Sequence, residues 1–117
     1  MIGRLDFDIS VNRSAVHVAV DGEIDLDTAP QLLDTVLAAA LLEARDAGHE
    51  VFLDLDAVTF LDSSGIAALL FARRYVAGNG GTLVLANLSD VVARTIEMAG
   101  VGPSLGVLPR ETDTDPG

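Results

Sequence analysis

The residues best placed to do chemistry are Asp62-Ser63-Ser64-Gly65. An apolar run, Val51 to Leu55, comes shortly before them, and a helical pattern, Ile66 to Ala77, follows directly. Two hydroxyls and a carboxylate therefore fall where a buried strand hands over to a helix. The start of a helix presents unpaired N–H groups and partial positive charge, which makes it a seat for phosphate. A serine there is either a plain helix cap or a hydroxyl that accepts a phosphoryl group and changes local charge by about −1.5 to −2.

The surrounding pattern shows what positions these groups. Leu5, Phe7 and Ile9 alternate with Asp6 and Asp8, which predicts a half-exposed strand. Val11 to Ser14 reads as a turn. Val16, Val18 and Val20 then alternate with Ala15, His17 and Ala19, which predicts the second arm of an antiparallel hairpin. Asp21-Gly22 is expected to break that strand, and Glu23 to Asp27 to form a loop. A helix is expected from Asp27 or Thr28, either of which can cap it, with Pro30 in its first turn. Its apolar residues, from Leu32 through Leu41 to Ala44, follow a 3.6-residue period, and Gly48 ends it. Strands at 51–55 and 82–86 flank a second helix over 63–77. Ser89 and Asp90 open a third helix bearing Val91, Val92, Thr95, Ile96 and Met98, which stops at Gly100. Val107 and Leu108 are candidates for a last short strand.

The predicted order is β-β-α-β-α-β-α(-β), an α/β fold with a mixed sheet and right-handed parallel crossovers. One domain is expected over 1–108, with a polar, disordered tail over 109–117. Parallel strands share their carboxyl ends, and open α/β sheets place their sites there. Asp25 and Asp27, in the loop after the second strand, are thus expected on the same rim as Asp62 and Ser63.

Composition removes several classes of function. Formal net charge is −11, which disfavours DNA and anionic membrane surfaces and favours a partner carrying basic groups. The seven basic residues are all Arg, so a Walker A lysine and a Schiff-base lysine are excluded. With no Cys, disulfide and thiolate chemistry are excluded too. No apolar stretch reaches the ~18 residues of a membrane helix. The first residues lack the layout of a signal peptide, so cytoplasmic residence is the expectation.

The segments Gly22-Glu23-Ile24-Asp25-Leu26-Asp27-Thr28-Ala29 and Phe60-Leu61-Asp62-Ser63-Ser64-Gly65-Ile66, in this order and spacing, resemble the STAS domain of bacterial anti-sigma factor antagonists. Gly80 to Leu85 and Ile96 to Val101 are similar to that family as well, so the likeness spans about residues 5–108. The resemblance implies a STAS-type fold and a regulatory, non-enzymatic role without a cofactor. The implied partner is an anti-sigma factor, often a serine kinase, whose capture frees a sigma factor. In the family motif D-S-[ST]-G the phosphate acceptor follows the aspartate, here Ser63, and Ser64 fills the Ser/Thr position. A phosphatase acting on phospho-Ser63 is implied as the reset. Asp25, Asp27, Asp62, Ser63, Ser64 and Gly65 are the implied partner-binding set. Ile66-Ala67 stands where many members have Leu-Gly.

Other readings compete for the same residues. Asp25 and Asp27 are equally readable as solvated loop carboxylates. An EF-hand at Asp21 to Asp27 lacks the required Gly and distal Glu spacing. Neither His17 nor His49 falls near Ser63 in this layout, which disfavours a Ser-His-Asp hydrolase. Asp54 and Asp56 are expected to point outward from their strand, and Arg73 and Arg74 to form a solvated helix edge. A phosphoaspartate receiver is similar in length, with Asp56 as a candidate acceptor, but requires a late lysine. Within the STAS resemblance, the alternative is a subunit scaffolding a transporter or larger signalling assembly, with no sigma-factor role. The small residues Gly65, Ala67 and Ala68 are expected to thin the first turn of the second helix for close docking.

Overall fold

Strands and helices alternate as the periodicity predicts. The computed structural model describes residues 4–13, 15–42 and 48–107. Its elements are β1 (Asp6–Asn12), β2 (Ala15–Ile24), α1 (Ala29–Leu42), β3 (Glu50–Leu61), α2 (Ser63–Gly78), β4 (Thr82–Ala86) and α3 (Asp90–Ala99), then a 3-10 turn at Pro103–Leu105. The four strands lie side by side in the order β1-β2-β3-β4. β1 pairs antiparallel with β2, while β2–β3 and β3–β4 are parallel.

One face of the sheet is the core. Val16, Val18 and Val20 of β2, Val51, Leu53 and Leu55 of β3, and Leu83 of β4 are buried. Leu32, Val36 and Ala40 of α1 and Leu69, Ala72 and Val76 of α2 pack into the same cluster. Those spacings of three and four residues form the apolar stripe of an amphipathic helix. α3 adds Val92 and Ile96 to this core and packs against β3. The expected caps of α3 both form: Ser89 accepts from the Val92 N–H at 3.3 Å, and Gly100 turns left-handed at φ 72°.

Several boundaries differ from expectation, each for a local reason. β1 continues through Asn12 instead of turning at Val11. Asp21-Gly22 does not end β2. The ladder to β3 shifts register between Ala19 and Asp21 and again between Gly22 and Glu23, and pairing resumes through Ile24. Gly22 sits at φ 130°, where a Cβ would lie 3.2 Å from the Arg4 carbonyl oxygen. The Asp-Gly break is thus a bulge, not a terminus. The same irregularity lets β3 run to Leu61, with Val58 and Leu61 resuming the buried positions.

α1 is described to Leu42, with Leu41 exposed, and the expected helix end near Gly48 lies across undescribed residues 43–47. Met98 also faces solvent. No strand forms at Val107, whose N–H instead donates to the Gly102 carbonyl at 2.8 Å. Leu108 and the expected tail over 109–117 lie outside the described residues. Arg73 is not a solvated edge. It is half-buried, and its guanidinium carbon would lie 2.9 Å from a Cβ on Gly106, so it fills the space that glycine leaves. Its Nη1 is buried and meets no hydrogen-bond partner among the described residues.

Candidate functional site

The carboxyl ends of β2 and β3 are neighbours. Glu23 pairs with Phe60 and Ile24 with Leu61. One further bond, from the Asp62 N–H to the Ile24 carbonyl at 3.2 Å, ties the next residue into the same ladder. Adjacent strands lie about 4.8 Å apart. The Asp25 loop and the Asp62-Ser63 segment therefore share one rim, although their positions in the chain are far apart.

The cap of α2 is Asp62. Its backbone is extended, at φ −115° and ψ −171°, and its Oδ1 accepts from the N–H groups of Ser64 at 2.9 Å and Gly65 at 3.2 Å. Ser63 is then the first helical residue, exposed, and no hydrogen bond engages its hydroxyl among the described residues. The capping role open to a serine at this junction is already filled. Ser64 is half-buried beside it.

Gly65 faces the other way. It is buried, and a Cβ there would stand 2.5 Å from Leu61 Cδ1 and 2.6 Å from Ile24 Cγ2. Its smallness lets α2 settle onto β2 and β3; it does not present a thin surface to a partner. Ala68 is likewise buried, and only Ala67 of the expected small-residue turn is exposed.

Asp25 and Asp27 differ from one another. Asp25 is half-buried, and its Oδ1 accepts from the N–H groups of Asp27 at 2.9 Å and Thr28 at 3.1 Å. Thr28 answers: its buried hydroxyl accepts from the Asp25 N–H at 2.9 Å and donates to the Glu23 carbonyl at 2.7 Å. This reciprocal turn leads the chain into α1. Among the described residues neither the Asp27 nor the Thr28 side chain accepts from an α1 N–H; the Ala29 N–H donates instead to the Asp25 backbone carbonyl at 2.8 Å, and the Asp25 carboxylate closes the turn before the helix. Asp27 is exposed, its carboxylate directed to solvent.

Apolar surface that sequence reading missed surrounds the rim. Leu26 is 73% exposed and Phe60 43%. Along α2, Ser63, Ala67, Phe71 and Arg74 are all exposed, a spacing that puts them on one face. Phe71 stacks on Tyr75 with centroids 6.5 Å apart. The signal for Leu26 was present, as a large apolar residue between two aspartates.

His49 is fully buried at the opposite end of β3 from Ser63. At ~3.3 Å rise per residue that 12-residue strand spans roughly 36 Å between them, so no Ser-His pair forms. Among the described residues, no group of three His, Cys, Asp or Glu side chains is arranged to hold a metal ion.

A family model described as "Mlab, STAS domain" matches residues 7–109. The chain belongs to the STAS-domain family. Among STAS relatives, the anti-sigma-B factor antagonist of Bacillus subtilis (strain 168) is 29% identical over 97 residues, covering 83% of this chain and 84% of that protein. In structure, an anti-sigma factor antagonist from Mycobacterium paratuberculosis is similar, with a TM-score of 0.70 and 25% identity over 93% of this chain and 89% of that one. The Bacillus cell fate determinant SpoIIAA, solved in its phosphorylated form, shares the fold. Its TM-score is 0.59 at 24% identity, covering 91% of this chain and 94% of that one. The STAS-type mixed sheet implied by the sequence motifs is therefore the observed one.

Proposed function

We propose that this chain is an anti-sigma factor antagonist. It docks an anti-sigma factor with serine kinase activity through the rim of Asp25, Asp27, Asp62, Ser63 and Ser64, and phosphorylation of Ser63 switches docking off. A phosphatase acting on phospho-Ser63 restores the docking form. The observation that carries this reading is the idle Ser63 hydroxyl: exposed, at a helix start, with its structural duty taken by Asp62. The similarity to antagonists over most of their length supports it.

On this reading the chemistry of the reaction is the partner's. What this chain supplies is an accessible acceptor and a surface. Unmodified, that surface is neutral at Ser63 and apolar at Leu26, Ala67 and Phe71, a pattern that suits protein docking. Phosphate changes the electrostatics. The N–H groups of Ser64 and Gly65 already bond Asp62, so a phosphate on Ser63 does not find an empty nest. It stands toward solvent beside another carboxylate, and a docked partner has to desolvate both charges.

The test is capture of the cognate anti-sigma factor on this chain, followed by ATP. ATP is expected to release the partner and to leave one phosphate, placed on Ser63 by peptide mapping. Phosphate on Ser64, or a complex that survives full phosphorylation, overturns the assignment.

A further inference from the structure

The sheet has a second face, and among the described residues no helix covers its centre, where Asp8, Ser10, His17 and Ala19 are exposed. Positions opposite the core alternate outward along each strand. Two adjacent rows run across it in register. Asp8 faces Ala19, Ala19 faces Asp54, and Asp54 faces Ala86. In the next row Ser10 faces His17, His17 faces Phe52, and Phe52 faces Val84. The His17 and Phe52 rings stack with centroids 4.9 Å apart and planes 10° from parallel. The alanines leave a gap between carboxylates, and the two rows enclose an open cleft of about 300 Å³.

We propose that this cleft docks an arginine-bearing basic segment of a partner protein, on a surface separate from the Ser63 rim. Charge selects the occupant. Outward positions of the four strands carry Asp6, Asp8, Asp21, Glu50, Asp54 and Asp56, and none carries an arginine. Asp6 lies directly opposite Asp21 across β1 and β2. Like charges in that relation cost stability, and a chain that keeps them departs from local consistency where function is expected. A cation laid across the strands relieves that repulsion.

Geometry selects arginine over lysine. A guanidinium plane stacks on aromatic rings and offers carboxylates a fork of N–H donors, which an ammonium does not. Asp54 lines the cleft and is held in place there: its Oδ2 accepts from Asn87 Nδ2 at 3.2 Å and its Oδ1 from the Asp56 N–H at 3.0 Å. Asp8 is exposed on the other side of the Ala19 gap. The same carboxylates repel a nucleic-acid backbone, so the stacked rings do not make this a base-binding platform.

The probe is a short fluorescein-labelled triarginine peptide, compared with its trilysine counterpart and with single-stranded oligouridine. Anisotropy and amide chemical shifts are read on the full chain. The arginine peptide is expected to bind best, with shifts concentrated at Asp8, His17, Phe52, Asp54 and Asn87. Asp8→Asn is expected to weaken binding at least fivefold, ~1 kcal/mol. Asp34→Asn, which removes the same charge from the exposed side of α1, is expected to change it less than twofold. His17→Ala is expected to bring arginine affinity down to that of lysine, and Ser63→Asp to leave peptide binding within twofold. Equal losses from Asp8→Asn and Asp34→Asn, equal affinity for the two peptides, or a preference for oligouridine overturns the proposal. A failure here leaves the Ser63 reading untouched, because that reading is measured with the anti-sigma factor and ATP.

Discussion

Replacing Ser63 with aspartate separates a switch from a structural residue, and the local geometry sets the size of each effect. In the free protein the new carboxylate sits in the first turn of α2, where negative charge is worth ~0.3–1 kcal/mol to the helix. It also sits beside the Asp62 carboxylate. Two unit charges about 6 Å apart repel by ~0.7 kcal/mol in water. The two terms nearly cancel, so the melting temperature should stay within about 4 °C of the unsubstituted protein, the shift that ~1 kcal/mol produces at this size. In the docked state water is displaced, and the same pair repels by ~2.8 kcal/mol at an effective dielectric constant of ~20. The added ~2 kcal/mol corresponds to about thirtyfold in affinity.

Ser63→Ala is the companion variant. The hydroxyl it removes bonds nothing among the described residues, and alanine is the better helix former by up to ~0.5 kcal/mol. This variant should melt at or slightly above the unsubstituted protein and keep its partner when ATP is added. Calorimetric titration with the anti-sigma factor, beside thermal melts followed by circular dichroism, reads both quantities. If Ser63→Asp binds within threefold of Ser63→Ala, charge at this position is not the switch. If its binding falls together with a large drop in melting temperature, Ser63 supports the fold and the reasoning fails.

The two loop aspartates should part company. Asp25→Ala removes the acceptor of two backbone N–H groups and should cost ~1–2 kcal/mol of stability in urea unfolding, whereas Asp27→Ala should stay within ~0.5 kcal/mol; equal losses would refute the separate roles. Asp27→Ala should still weaken partner affinity, and unchanged affinity would return Asp27 to a solvated loop. Gly65→Ala should lower the melting temperature, because overpacking costs ~1–3 kcal/mol against a helix-propensity gain of ~1 kcal/mol; a more stable variant would mean that Leu61 and Ile24 move aside freely.

Order and pairing were legible because alternation and helical period are strong signals. The valines of β2, the apolar run opening β3 and the Ser89 and Gly100 caps of α3 all act as their types imply. The shared rim followed from topology alone, since parallel strands bring Asp25 and Asp62 together whatever their separation in the chain. Other features depend on coordinates. Asp62 and Ser63 are both good caps, and only the extended backbone at Asp62 decides between them. Two register shifts turned Asp21-Gly22 from a strand end into a bulge, which no periodicity records. Gly65 looked like a surface device until the side chains of Ile24 and Leu61 were found against it. The acidic open face is written across four strands and becomes visible only once their register is known.

The seat that Gly65 gives α2 has a consequence for how information leaves this molecule. A helix resting on two strands with no room for a methyl group has nowhere inward to travel, so modification at its tip is not relayed as a lever or a hinge. The message stays where it is written. Under the function proposed above, modified and unmodified chains differ in what they repel rather than in shape, and the discrimination lies in the difference between two binding free energies. Coupling of that kind is reciprocal: whatever factor the phosphate takes from the partner's grip, the partner takes from the stability of the phosphorylated form. On the same proposal, a kinase that writes this phosphate weakens its own hold on the product and lets go without any refolding step.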